Sequence, residues 1–433
     1  MATSRAASKT EPMALLKTSP IRRRLLAWIG ASGLLSPLSA LAQPATRRLR
    51  PKSPPVWTGF GLNGGPAQAR YNLTRNFIKR SQGLDLSESK AFLKLNLDVL
   101  APRLKSLPQL VQFKDQVEFG EDLLLGFAHD YETTVGARLE KDGQNANTLI
   151  VFMSGVGMIL GFDRSSGWRI VSSFPFMLRM ERPGGDLKNI QDRAVAVMDQ
   201  AYQSYGTAFA EFLKRFNKWD QGFSTNFFAR LTKASIHKDA AEQLQKLRIN
   251  QTYNEEFLGF SASTALCDNL NIPLLPYQEN DALAKRYSVK FSDDLTAQGE
   301  ISIPDADLRF ELVLRHIDKK LTPSSQRGVT IVRRNVVLRL MVYDEFSSLP
   351  DKRLLNVLAE STGEDRLPLD PREDDTPERD LVMFDRLITR TLSQLLQGLA
   401  NRNEQTLAAV EVKLSFVAPA LPRLMELCAK TRS

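Results

Sequence analysis

Three histidines and two cysteines stand among 433 residues, so any metal, nucleophilic or acid–base chemistry has few places to begin. His129 followed by Asp130 is the pair suited to general acid–base work, because imidazole titrates near neutral pH. Neighbours in a strand point to opposite faces, so Asp130 cannot orient the His129 ring and a different carboxylate is required. His129 shares its expected face with Phe127 and Tyr131, and a hydrogen-bonded core histidine is the competing reading. His316 closes a second apolar stripe and His237 lies in a polar stretch. The three lack HExxH spacing and neither Cys belongs to a CxxC, so neither a metal nor a cofactor is expected.

Two further motifs imitate chemistry. Ser154-Gly155-Val156-Gly157 misses the GxSxG elbow because Phe152 stands where its first glycine belongs. The same glycines miss GxGxxG at Leu160, and close backbone packing explains them. Between Glu364 and Asp380 eight acids alternate with Pro368, Pro371 and Pro377. Without a DxDxDG start this run reads as a solvated surface loop and not as a calcium loop.

The start of the chain reads as an export signal over 1–42. Lys17, Arg22, Arg23 and Arg24 precede an apolar stretch from Leu25 to Leu41, and Ala40 and Ala42 supply small residues for cleavage before Gln43. Arg22 to Leu26 suits either a twin-arginine or a general export route, and either Met1 or Met13 serves as the start. The expected product is soluble and periplasmic, with no transmembrane span after removal of the signal. Cys267 and Cys428 then lie in an oxidising compartment, either joined in a disulfide or as two buried thiols.

The formal charge of +9 is unevenly placed. Residues 1–42 carry +5 and residues 43–84 hold eight basic residues and no acid, which leaves the remainder at −4. Prolines 44, 51, 54 and 55 make the start of this basic arm extended. Arg47, Arg48, Arg50 and Lys52 are candidates for contact with anionic lipid, lipopolysaccharide or an acidic envelope protein, the plainer alternative being a solvated linker. Nucleic acid is not an expected partner of an acidic body.

Any such residues need elements to position them. Leu125 to Val135, Thr148 to Gly161 and Ile170 to Met180 read as three long antiparallel strands. Met198, Tyr202, Tyr205, Phe209, Phe212 and Phe216 then recur at helical spacing, and a second helix is expected to reach about Leu247. Leu308 to Leu314 and Val332 to Val342 alternate as a hairpin, Leu381 to Leu399 repeats at three and four residues, and Val410 to Phe416 reads as a last strand. The expected class is α+β: two antiparallel-sheet units, each covered by amphipathic helices, with the order strand, hairpin, helix suggesting an internal duplication. The domains are expected over 85–250 and 251–433. Over 260–417 the order of elements resembles small sheet-and-helix modules of envelope assembly proteins, among them the TolB amino-terminal and CsgG-type domains. The resemblance implies a noncatalytic binding or assembly-support role in the cell envelope. An exported hydrolase using His129 or an unrecognised carboxylate pair, and a lipid carrier whose cavity is lined by the Met198–Phe216 stripe, are the alternatives.

Overall fold

The computed structural model describes residues 54–63, 69–85, 104–106, 109–112, 123–141, 144–163, 167–218, 227–278, 286–291, 298–323, 329–368 and 374–432. The export signal with Arg22–Arg24, Ala40 and Ala42, the basic residues Arg47, Arg48, Arg50 and Lys52, and the run Ser87 to Leu100, whose Lys/Leu spacing predicts a helix, lie outside them. The class is α+β, as the alternation of patterns predicts.

The first unit comprises β1 (Val56–Asn63), α1 (Asn72–Gln82), β2 (Leu124–Lys141), β3 (Gln144–Asp163), β4 (Gly167–Pro183) and α2 (Ile190–Lys218). The second comprises β5 (Ala229–Ile236), α3 (Lys238–Lys246), α4 (Glu255–Leu270), β8 (Leu308–Pro323), β9 (Val329–Asp344), β10 (Arg353–Pro368) and α5 (Pro377–Asn401). Between α4 and β8 a hairpin of β6 (Arg286–Phe291) and β7 (Gln298–Ser302) crosses to the first unit. It closes strands β1-β2-β3-β4-β7-β6 into a barrel, and the second sheet has the order β10-β9-β8-β5. Short helices α6 (Glu404–Ala408), α7 (Leu414–Val417) and α8 (Leu421–Lys430) follow α5.

Each meander is antiparallel, whereas β1 pairs with β2, and β5 with β8, in parallel. The two units repeat this topology down to its irregularities. Val56 is bridged by Gln112 and Arg230 by Leu275. Register slips at Thr58 in β1 and at Thr232 in β5, and the two hydroxyls donate to Leu125 O and Phe310 O. A second slip falls at Asp130 in β2 and at Arg315 in β8. Matching bulges at matching places make Leu314 and Ile317 the counterparts of His129 and Glu132.

Four layers result: α1 and α2, the first sheet, α3 to α5, and the second sheet. Phe127 and Phe174 of the first sheet meet Phe209 and Phe212 of α2, and the opposite face sets Tyr131 and Phe152 against Phe257 of α4. Helix α4 lies between two sheets and buries Phe257, Leu258, Phe260, Leu266 and Leu270. Below it, Ala128, Val156, Met158, Trp168, Ile170 and Ile301 fill the barrel.

Several expectations are corrected. The run Trp57 to Gly65 reads as a loop in the sequence but contains strand β1, and Gly59 has φ of 127°, open to glycine alone. The helix expected to reach Leu247 is strand β5 followed by α3. The bulge at Thr232 breaks its two-residue alternation, and β5 belongs to the second sheet, so the boundary near 250 lies inside the second unit. The boundary near 85 likewise lies inside the first unit, to which β1 and α1 belong. The strand expected over Val410–Phe416 is turns and short helix, because Glu411 with φ of 59° interrupts an extended chain. The described ends of the acidic run are structural: Asp365 lies within β10 and Asp380 in the first turn of α5.

Candidate functional site

The bulge at Asp130 reshapes the one pair suited to acid–base work. It turns Tyr131 to the α4 face and returns Glu132 to the face of His129, so the carboxylate that His129 requires stands three residues on. The expectation that His129 and Tyr131 share a face fails for the same reason.

His129 Nε2 is 3.1 Å from Glu132 Oε2, and its Nδ1 is 2.8 Å from the Tyr205 hydroxyl. Thr74 donates its backbone N–H to Glu132 Oε1 at 2.9 Å and its hydroxyl to Oε2 at 2.6 Å. The Tyr202 hydroxyl meets Thr74 Oγ1 in turn. Thr74 lies in the first turn of α1, whose amino terminus has no side-chain cap of its own, so Glu132 supplies an acceptor to an otherwise orphaned N–H. Glu132 thus has Thr74 on one side and His129 Nε2 on the other, while Tyr205 sits at His129 Nδ1. Tyr71 donates to Asn63 O at 2.6 Å and to His129 O at 3.0 Å, and Asn63 Nδ2 donates to Asp130 Oδ1 at 3.0 Å.

Burial pushes the Tyr202 and Tyr205 hydroxyls well above the usual phenol range, with Glu132 adding to the effect, so both stay protonated donors. His129, Thr74, Tyr71, Tyr202 and Tyr205 have no solvent-exposed surface. Two surface recesses, of about 500 and 590 Å³, lie at Gly136–Ile190–Arg248 and at Arg230–Asp307–Phe346, and neither has His129 or Glu132 in its wall. The arrangement pins α1 and α2 to β2, and its counterparts in the second unit, Leu314 and Ile317, are fully buried apolar residues.

A second polar cluster joins the units. Arg334 of β9 reaches Asp365 Oδ1 at 2.5 Å and Asp380 Oδ1 at 2.6 Å, while Arg379 reaches Asp365 Oδ2 at 2.8 Å and donates to Arg138 O of β2 at 2.9 Å. Lys319 completes it with Asp375 and with Asp380 at 2.7 Å. Charge alternation inside this cluster explains why the acidic run folds back instead of being solvated. Nearby, Arg179 of β4 holds Asp385 of α5 at 2.8 Å and lies over the Phe152 ring. Sequence reasoning missed Glu132, Arg334 and Arg379. For Glu132 a signal existed, since a bulge can place residues i and i+3 on one face, but nothing in the local sequence marks its position.

His237 caps α3 by accepting from Asp239 N, and His316 follows the Arg315 bulge half-buried. Among the described residues no group of His, Cys, Asp and Glu could hold a metal ion. Gly155 and Gly157 give the close packing expected of them: an added Cβ would lie 2.5 Å from the Phe127 and Phe209 rings respectively. Cys267 and Cys428 are free, buried thiols rather than a bridge. Cys267 donates to Ile272 O at 2.8 Å, and burial pushes the Cys428 thiol up to about 12. Comparison with known protein families and with curated proteins finds no match to this chain.

Proposed function

We propose that this chain is an exported, noncatalytic component of a bacterial cell envelope, acting in the periplasm by binding or supporting another envelope component. One observation carries the reading: the His–carboxylate pair is sealed, fully partnered, and replaced by leucine and isoleucine in the second unit, so it serves packing. No described helix is long and apolar enough to cross a membrane. The hydrolase alternative loses His129, which lacks a surface on which a substrate could be placed, and keeps only the carboxylate pair. The lipid-carrier alternative loses the groove that prompted it, since the described members of the Met198–Phe212 stripe are packed ring to ring against the sheet. Arg47, Arg48, Arg50 and Lys52 would supply a basic contact for anionic lipid, lipopolysaccharide or an acidic partner.

The test is fractionation of bacteria expressing the full chain with a carboxy-terminal tag, followed by intact-mass measurement. The expected product begins at Gln43 and is released with the periplasm. An unprocessed chain recovered from the cytosol overturns the reading.

A further inference from the structure

The open face of the second sheet has a counterpart inside the same chain, and that counterpart is occupied. In the first unit, the sheet face turned away from α2 receives α4 and α5 of the second unit. In the second unit, the face turned away from α5 carries Val313, Val337, Arg339 and Leu358, and no described helix covers it. Leu358 is 56% exposed there, beside Arg339 in register. The chain therefore has one sheet face filled by a helical layer, an equivalent face left open, and one helical layer, α1 with α2, whose back is free of any described sheet.

We infer that the open face of the second sheet takes the back of α2 from a second copy of this chain, so that copies stack head to tail as they do unit upon unit. The dimensions agree. A helix of 29 residues runs about 44 Å and strands of 16 residues about 50 Å. Strands β8 to β10 with β5 offer a footprint of the order of 800 Å², which matches what each partner buries in a stable interface. Asp199, Gln203, Thr207 and Glu211 form one exposed line on α2, where Lys214 pairs with Glu211, and on the sheet Arg339 and Arg366 stand beside the Arg333–Glu364 pair. Because α2 is polar on its back where α4 buries ten of its sixteen residues, this contact is a separable one between folded copies. A face that meets a different face does not close on itself, so association continues beyond a pair or ends in a ring.

Sedimentation velocity and light scattering on the purified chain test this, at any stage of processing and in no particular compartment. The mass is expected to rise with concentration in the micromolar range. R339E with L358E blocks the sheet face, and D199K with E211K blocks the helix. All four positions are outside the core, and circular dichroism melts confirm that both double variants fold. Each variant alone is expected at the monomer mass, while an equimolar mixture, retaining one good helix and one good face, gives a species of twice that mass and nothing larger. A native chain that stays monomeric overturns the inference. So does a native chain that associates while the mixture does not, which would mark packing of like face on like face.

Discussion

Glu132 accepts from a backbone amide, a hydroxyl and an imidazole in a buried place, so removing it alone leaves donors stranded. Glu132→Ala is expected to destabilise the fold by about 3–5 kcal/mol in urea titrations. The double variant H129L/E132I installs the pair that the second unit uses, and is expected to cost at least about 1 kcal/mol less than the sum of its two single changes. Additive costs would show that the two side chains are not coupled. Asp385 gives a second prediction at this scale. Burial pushes its carboxyl up to about 6, against the pull of Arg179 and Arg386 and helped by Glu181. The folded chain thus holds this proton more tightly than the unfolded one. Its contribution is full below about pH 4 and is lost as pH rises through about 6, a change of about 3 kcal/mol. Urea titrations of native and Asp385→Asn proteins at about pH 4 and pH 7.5 should show the variant gaining by that amount at the higher pH. A difference independent of pH would place the titration elsewhere.

At the scale of elements, the first unit puts glycine on the sheet and phenylalanine on the helix, whereas the second puts Leu338 and Leu340 at the corresponding strand positions. Gly157→Ala must displace Phe209, and with it the seat of α2, at an expected cost of about 1–3 kcal/mol measured by chemical denaturation. A neutral outcome would mean that α2 has room to shift. The long strands and both long helices were legible in the sequence, because Val332–Val342 and Met198–Phe212 keep their periods over many residues. What was not legible traces to bulges and positive φ. One extra residue at Thr232 disguised β5, another at Asp130 hid the partnership of His129 with Glu132, and Glu411 ended an alternation that only looked like a strand. The acidic run deceived for another reason: its neutralising partners Lys319 and Arg334 are distant in sequence, and composition alone reports only local charge.

For the whole molecule, α4 belongs to both units, and Arg379 and Arg179 tie β2 and β4 to the second unit and its helix α5. The two units are expected to unfold together, with near- and far-ultraviolet circular dichroism transitions superimposed in one thermal melt. Two separate transitions would show that the shared helix does not couple them. The thiols give a further check at this scale. In the native chain Cys267 and Cys428 should resist alkylation, and after unfolding both should react equally with or without reductant; a mass two hydrogens lighter before reduction would reveal a bridge.

Among the described residues the barrel meets itself across one residue pair, Arg169 with Ser302, while its other neighbours share ladders of several residues. Because the β2–β4 meander has its own pairing, loss of the β6–β7 arm would leave it intact and would bare the barrel lining and two unpaired strand margins at once. Amide deuteration should therefore penetrate at 298–302 first, and a chain nicked so that it sheds this arm should clump through the margins it leaves behind.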